Sequence, residues 1–110
     1  MPSPIYKILL PAEWAAFEAT GSFAGSPLDQ ADGFVHLSTS EQVHRTATRF
    51  FADEPDLIVL SIDPEPFGES LKWETNNHGT FPHLYSHLPM TAVSKIRHVT
   101  DKADLLGLHD

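Results

Sequence analysis

The run Leu57-Ile58-Val59-Leu60-Ser61-Ile62 constrains the fold more than any other part of the chain. It is almost continuously apolar, rich in β-branched side chains, and stopped by Asp63-Pro64. Such a run is expected of a strand buried on both faces, and so of a central strand. Ile5 to Leu10 reads as a first strand. Pro11 fits the opening turn of a helix that carries Trp14, Ala15 and Phe17 inward until Gly21 stops it. Gly21 to Pro27 is rich in turn residues and reads as a loop, followed by a strand from Phe34 to Ser38.

Thr39 with Gln42 matches a capping box, and Val43, Ala47, Phe50 and Phe51 recur at helical spacing, so a second amphipathic helix follows. Glu41, Arg45 and Arg49 lie four apart on its other face. Opposite charges at that spacing support a helix by about a few tenths of a kcal/mol and need no functional reading. Leu71 to Glu74 reads as a short strand with Leu71 and Trp73 opposite Lys72 and Glu74, and the chain turns at Asn76-Asn77-His78-Gly79. Prolines at both ends of Phe81 to Pro89 suggest an irregular connection, Ala92 to Val99 reads as a final strand, and the last residues look like a loose tail. Strands and helices mix without regular alternation, which favours an α+β fold in one domain spanning residues 1–110.

A net charge of -8, with fifteen acidic residues against seven basic ones, repels a phosphate backbone, so nucleic-acid binding is not expected. The chain has no cysteine, which removes disulfides, thiol nucleophiles and thiolate metal sites together and is consistent with a reducing cytoplasm. The N-terminus Met1 to Lys7 lacks a basic start followed by a long apolar run, and no later stretch is long enough to span a bilayer. A soluble, cytoplasmic protein is the expectation.

Asp32-Gly33-Phe34-Val35-His36-Leu37-Ser38-Thr39 places a histidine and two hydroxyls where a strand runs into a helix. Alternation puts Val35 and Leu37 on one face and Phe34, His36 and Ser38 on the other. His36 is then either a ligand donor or a hydrogen-bonded histidine of a half-buried strand. Ser38 and Thr39 either cap the helix or, beside its N-terminal amides, attract an anion. Glu74 is a cleft carboxylate or a solvated one paired with Lys72 or an arginine, and Trp73 is core or a stacking platform. His83 and Tyr85 line a cleft edge or belong to a packed loop.

The segments Ile5-Tyr6-Lys7-Ile8, Gly21-x-Phe23-x-Gly25-Ser26, Asp29, Asp32 to Thr39, Leu71-x-Trp73-Glu74 and Phe81-Pro82-His83-Leu84-Tyr85 resemble the small bacterial family named domain of unknown function 952. That resemblance implies an ADP-ribosylation-like fold, a split and mostly antiparallel β-sheet flanked by helices, which in true transferases clasps NAD. It implies His36 as the histidine that binds the adenine-side ribose and, by residue type, Tyr85 as the stacking aromatic and Glu74 as the carboxylate that stabilises a charged ribosyl centre. The leading expectation is a cleft of His36, Ser38, Thr39, Glu74, His83 and Tyr85, with Trp73 as a further binding residue, for a nucleotide-like small molecule. Transfer or hydrolysis at the ribose of NAD is its sharpest form. A non-enzymatic ligand-binding or interaction domain is the alternative, and a metal-dependent hydrolase comes third.

The spacing of His78, His83 and His87 matches no ordinary zinc pattern, so no metal site is expected. Elemental analysis of protein purified without a histidine tag should find no stoichiometric zinc; one zinc per chain would make these histidines ligands.

Overall fold

The structure is a computed structural model that describes residues 3–108; Met1, Pro2 and the end of the expected tail at 109–110 lie outside them. The chain runs β1 (Ile5–Leu9), α1 (Pro11–Thr20), β2 (Ser22–Phe23), α2 (Pro27–Asp32), β3 (Val35–His36), α3 (Val43–Phe50), β4 (Leu57–Ile62), β5 (Leu71–Asn76), β6 (Gly79–Leu84), β7 (Leu88–Pro89) and β8 (Val93–Val99). Short 3-10 segments occupy Met90–Ala92 and Lys102–Leu105, and two such turns separated by a kink at Gly68 occupy Glu65–Ser70.

β4 lies between β1 and β8, antiparallel to both, and all of its residues are buried. Its alternation sends Ile58, Leu60 and Ile62 into a cluster with Phe17 and Phe23, and Leu57 and Val59 into a second cluster with Val43 and Ala47. The central strand therefore separates two cores, one under α1 and one under α3, as its uninterrupted apolar run requires. A second antiparallel sheet, ordered β3-β6-β5, meets the first where Tyr6 and Ser38 exchange backbone hydrogen bonds of 2.8 and 2.9 Å. β2 and β7 form a small antiparallel ribbon. The result is an α+β domain of mostly antiparallel sheets with few helices.

Several local expectations need correction. α1 buries only a narrow stripe: Phe17 is buried, Trp14 packs edge-on against it, and Ala15 is exposed because it lies about 100° round the helix from Trp14. The loop expected to end near Pro27 continues into α2, and the strand expected over Phe34 to Ser38 is regular only at Val35–His36. Of the segment Phe81 to Pro89, expected to be irregular, only residues 85–87 are so, between β6 and β7. β6 is the middle strand of its sheet, and it tolerates Pro82 because the side on which Pro82 lacks an N–H is the one its carbonyl turns to Leu37, where β3 has already ended and no ladder donor is called for. In the tail, Leu105 is buried in the second core.

Among the described residues no helix is long and apolar enough to cross a membrane. Because Leu60 fills the first core from the central strand, Leu60→Ala should lower unfolding stability by about 2–5 kcal/mol. Ile96→Ala, on the exposed side chain of the edge strand β8, should change it by no more than about 0.5 kcal/mol. Urea unfolding of the two variants checks the contrast; equal losses would mean that the core is not organised around β4.

Candidate ligand-binding site

The site begins with two charges in the first core. Lys7 is 5% exposed and Asp29 2%, and Lys7 Nζ donates to Asp29 Oδ2 at 3.0 Å and to the His36 carbonyl at 3.1 Å. Asp29 is held by a capping box: Ser26 Oγ accepts from Asp29 N, Asp29 Oδ2 accepts from Ser26 N, and Pro27 opens α2. Gly25 has φ +120°, and a Cβ there would stand 2.8 Å from Asp29 Cβ, so only glycine lets the chain pass this close. At the other end of α2, Gly33 with φ 85° turns the chain through a left-handed cap into β3.

Asp29 Oδ1 accepts from both His36 N at 3.0 Å and His36 Nδ1 at 2.6 Å. Burial alone would raise the Asp29 pKa, but the His36 hydrogen bond, the Lys7 charge and the backbone N–H groups of Ser26 and His36 together hold it well below the usual carboxylate range. Burial draws the Lys7 ammonium below its ordinary value, while Asp29 pulls it back. An ionised Asp29 can only accept, which places a proton on Nδ1 and turns Nε2 outward. There Nε2 lies 3.0 Å from Asp32 Oδ2. The imidazolium donates to both carboxylates; the neutral ring keeps the Asp29 bond and offers Nε2 as an acceptor.

His36 pairs across the sheet with His83, and His83 with Lys72, so one face of the second sheet carries His36, His83, Lys72, Glu74 and Phe81 while Val35, Leu71 and Leu84 face the core side. Phe34 is the hub on that polar face. Its ring stacks on His83 at 4.0 Å between centroids and lies 4.5 Å from His36 and 5.3 Å from Tyr85. Glu74 Oε1 accepts from Tyr85 OH at 2.6 Å and from His83 Nδ1 at 2.8 Å. The Tyr85 hydrogen bond first and the His83 bond second lower the Glu74 pKa, and Glu74 in turn raises that of Tyr85. Lys72 does not pair with Glu74: its ammonium lies 5.1 Å over the Tyr85 ring.

Next to this face opens a groove of about 330 Å³ between α2, β3, α3 and the β5–β6 turn. His36, His83 and Ser38 line it, and Ser38 Oγ donates to Thr46 Oγ1 at 3.3 Å. Glu74 and Tyr85 do not line it; they connect to it through His83. Thr39 and Trp73 are not brought to it either. Trp73, 52% exposed, shares a separate open concavity of about 540 Å³ with Thr39 and Glu41. Glu41 precedes α3 and, among the described residues, makes no ion pair with Arg45. His78, His83 and His87 go to different partners, the arginines of α3, Glu74 and Ser22 respectively.

Sequence reasoning missed Lys7, Asp29 and Asp32 as site residues, although two signals were present. Ser26-Pro27-Leu28-Asp29 spells a helix start inside a presumed loop, and a lone lysine inside the apolar run of β1 calls for a buried counter-charge. Phe50, expected in the core, is 60% exposed and borders the groove.

Asp29→Asn would leave the Lys7 ammonium buried without a counter-charge and should cost about 3–5 kcal/mol. With its folded-state pKa below the unfolded one, the wild-type carboxylate contributes stability that is present above about pH 4 and is lost as the pH falls further, because the unfolded chain takes up the proton first. Urea midpoints between pH 7 and pH 3 should fall for wild type and fall less steeply for the variant. Parallel curves would separate Asp29 from the acid sensitivity.

No curated protein matches the chain. The crystal structure of protein CC0527 from Caulobacter crescentus is 43% identical, covers 96% of this chain and all of its own, and superposes with a TM-score of 0.87. The solution NMR structure of the same protein is 46% identical over 92% of this chain and 88% of its own, with a TM-score of 0.80. The model of the family described as a protein of unknown function (DUF952) matches residues 8–96, which include Asp29, His36, Glu74, His83 and Tyr85, and the chain belongs to that family.

Proposed function

We propose that the chain binds a nucleotide-like small molecule in the groove beside His36 and acts at the ribosyl bond of NAD, in a fold of the ADP-ribosylation type. The observation that carries this reading is the joining of His36, His83, Glu74 and Tyr85 on one sheet face around Phe34, with the Glu74 carboxylate fixed by two donors. His36 is positioned by Asp29, and a ribose hydroxyl that takes the place of the exposed Asp32 carboxylate would meet Nε2. The groove volume is at the lower end for small-molecule sites, enough for a mononucleotide-sized part of a dinucleotide. The rest of the substrate would extend over His83 toward Glu74 and Tyr85.

Glu74, kept ionised by its two donors, has the charge needed where positive charge grows on the ribose. In that step the bond from ribose C1 to the nicotinamide nitrogen breaks with its electron pair leaving on nitrogen. Water or another acceptor then bonds to C1 and gives up its proton to solvent. The alternative, ligand binding without chemistry, is favoured by a different observation: both ring nitrogens of His36 already face carboxylates, and Glu74 stands outside the groove lining.

NAD at a hundred times its dissociation constant should stabilise the protein by about 2.7 kcal/mol, which thermal unfolding resolves. Nicotinamide release, followed by chromatography at matched folded concentration, should fall far more than binding in Glu74→Gln, whereas His36→Ala should weaken binding as well. Stabilisation without release selects the binding domain. If NAD neither moves the melting midpoint nor loses nicotinamide, the NAD reading is wrong.

A further inference from the structure

Arg45 and Arg49 lie one turn apart on α3, and both border the His36 groove. Like charges at that spacing weaken a helix. Among the described residues neither guanidinium has a carboxylate within ion-pair distance, although the chain carries fifteen acidic residues. Both instead reach a single residue of the β5–β6 turn: Arg45 Nη2 donates to the His78 carbonyl at 2.9 Å, and Arg49 Nη1 meets His78 Nδ1. These neutral acceptors orient the two guanidiniums without cancelling their charge. The turn is itself tied down, since Gln42 Nε2 donates to the Thr80 carbonyl at 2.7 Å and His78 N donates to Asn76 Oδ1.

Three of the seven lysines and arginines border this one groove, against two of the fifteen acidic residues, Asp29 and Asp32. Lys7 is neutralised by Asp29 and Asp32 faces His36, so with His36 neutral the lining carries an excess of one positive charge, and neither carboxylate pairs with Arg45 or Arg49. Exposed Phe50 and partly buried Phe51 and Phe81 give the adjoining wall an aromatic surface. We infer that Arg45 and Arg49, held by His78, form a phosphate clamp at the α3 side of the groove, so that its ligand is a phosphorylated compound such as a nucleoside monophosphate or sugar phosphate. Planar guanidiniums suit this task because each offers paired N–H donors to phosphate oxygens. The clamp deepens the groove reading above and rests on it for the rest of the ligand.

Titration calorimetry with AMP, adenosine and ribose 5-phosphate tests the clamp, alongside NMR detection of the arginine side-chain N–H signals during addition of inorganic phosphate at constant ionic strength. AMP should bind at least about tenfold more tightly than adenosine, as a charge-assisted hydrogen bond provides. Arg45→Gln and Arg49→Gln should each remove most of that advantage while leaving the melting midpoint unchanged or slightly raised, which a merely structural arginine would not do. Inorganic phosphate should move both arginine signals. Ribose 5-phosphate binding as tightly as AMP would identify a sugar phosphate as the ligand class; weak binding would identify a nucleotide. If phosphate moves both signals while AMP and adenosine bind no better than phosphate itself, the clamp stands and the nucleotide reading falls. If phosphate moves neither signal, or the variants keep the AMP preference, the clamp is overturned whatever NAD does.

Discussion

The Lys7–Asp29 ion pair is the interaction on which the candidate site depends. An ammonium and a carboxylate buried in an apolar cluster are costly unless each meets a partner and its remaining hydrogen-bonding capacity is filled. Here Asp29 accepts from Lys7, Ser26 N, His36 N and His36 Nδ1, while Lys7 also reaches the His36 carbonyl. Those bonds join β1, α2 and β3, three elements that otherwise meet along little regular structure. The orientation of His36 is therefore set by the core and not by the groove it faces.

The second constraint is the polar face of the β3-β6-β5 sheet. Its strands bury Val35, Leu71 and Leu84 on the core side, so alternation leaves His36, His83 and Glu74 on the other. Phe34 shields that side from complete hydration by packing on both histidines, and Glu74 collects the donors of His83 and Tyr85. Interlocked polar groups of this kind hold a fixed geometry with little reorganisation, which suits binding and charge stabilisation alike. The arginines of α3 belong to a different logic. They are exposed, bound to neutral acceptors of the opposite turn, and free of the net negative charge that dominates the rest of the surface.

Periodicity alone encodes a good part of the fold. The apolar run of β4 announces a strand with core on both sides, the apolar positions of β1 and the Val43 and Ala47 spacing of α3 follow the same rule, and alternation separates Phe34 and His36 from Val35 and Leu37. Failures came where local signals compete. Turn residues around Gly25 hid the short helix α2, and prolines in the FPHLY segment hid β6, whose Pro82 is tolerated only because the neighbouring strand has ended. Arg45 and Arg49 read as a solvated helix face because nothing in a helix repeat says which turn will stand opposite them. Strand alternation already set Trp73 on the face opposite Glu74, so its separation from the His36 groove was legible in the sequence, whereas Thr39 lies beyond the end of β3, where alternation no longer applies.

The sequence by itself determined the elements whose residues answer to their own neighbours: the buried central strand, the amphipathic helix α3, the turn at Asn76 to Gly79 and the family. Only the tertiary structure decided that Lys7 meets Asp29 across 22 positions, that Arg49 meets His78 across 29, and that Glu74 faces Tyr85 and not Lys72. Side-chain pairing of this kind depends on sheet register and on the angle at which a helix crosses a turn. Those are settled by the packing of the whole core, so no local pattern encodes them.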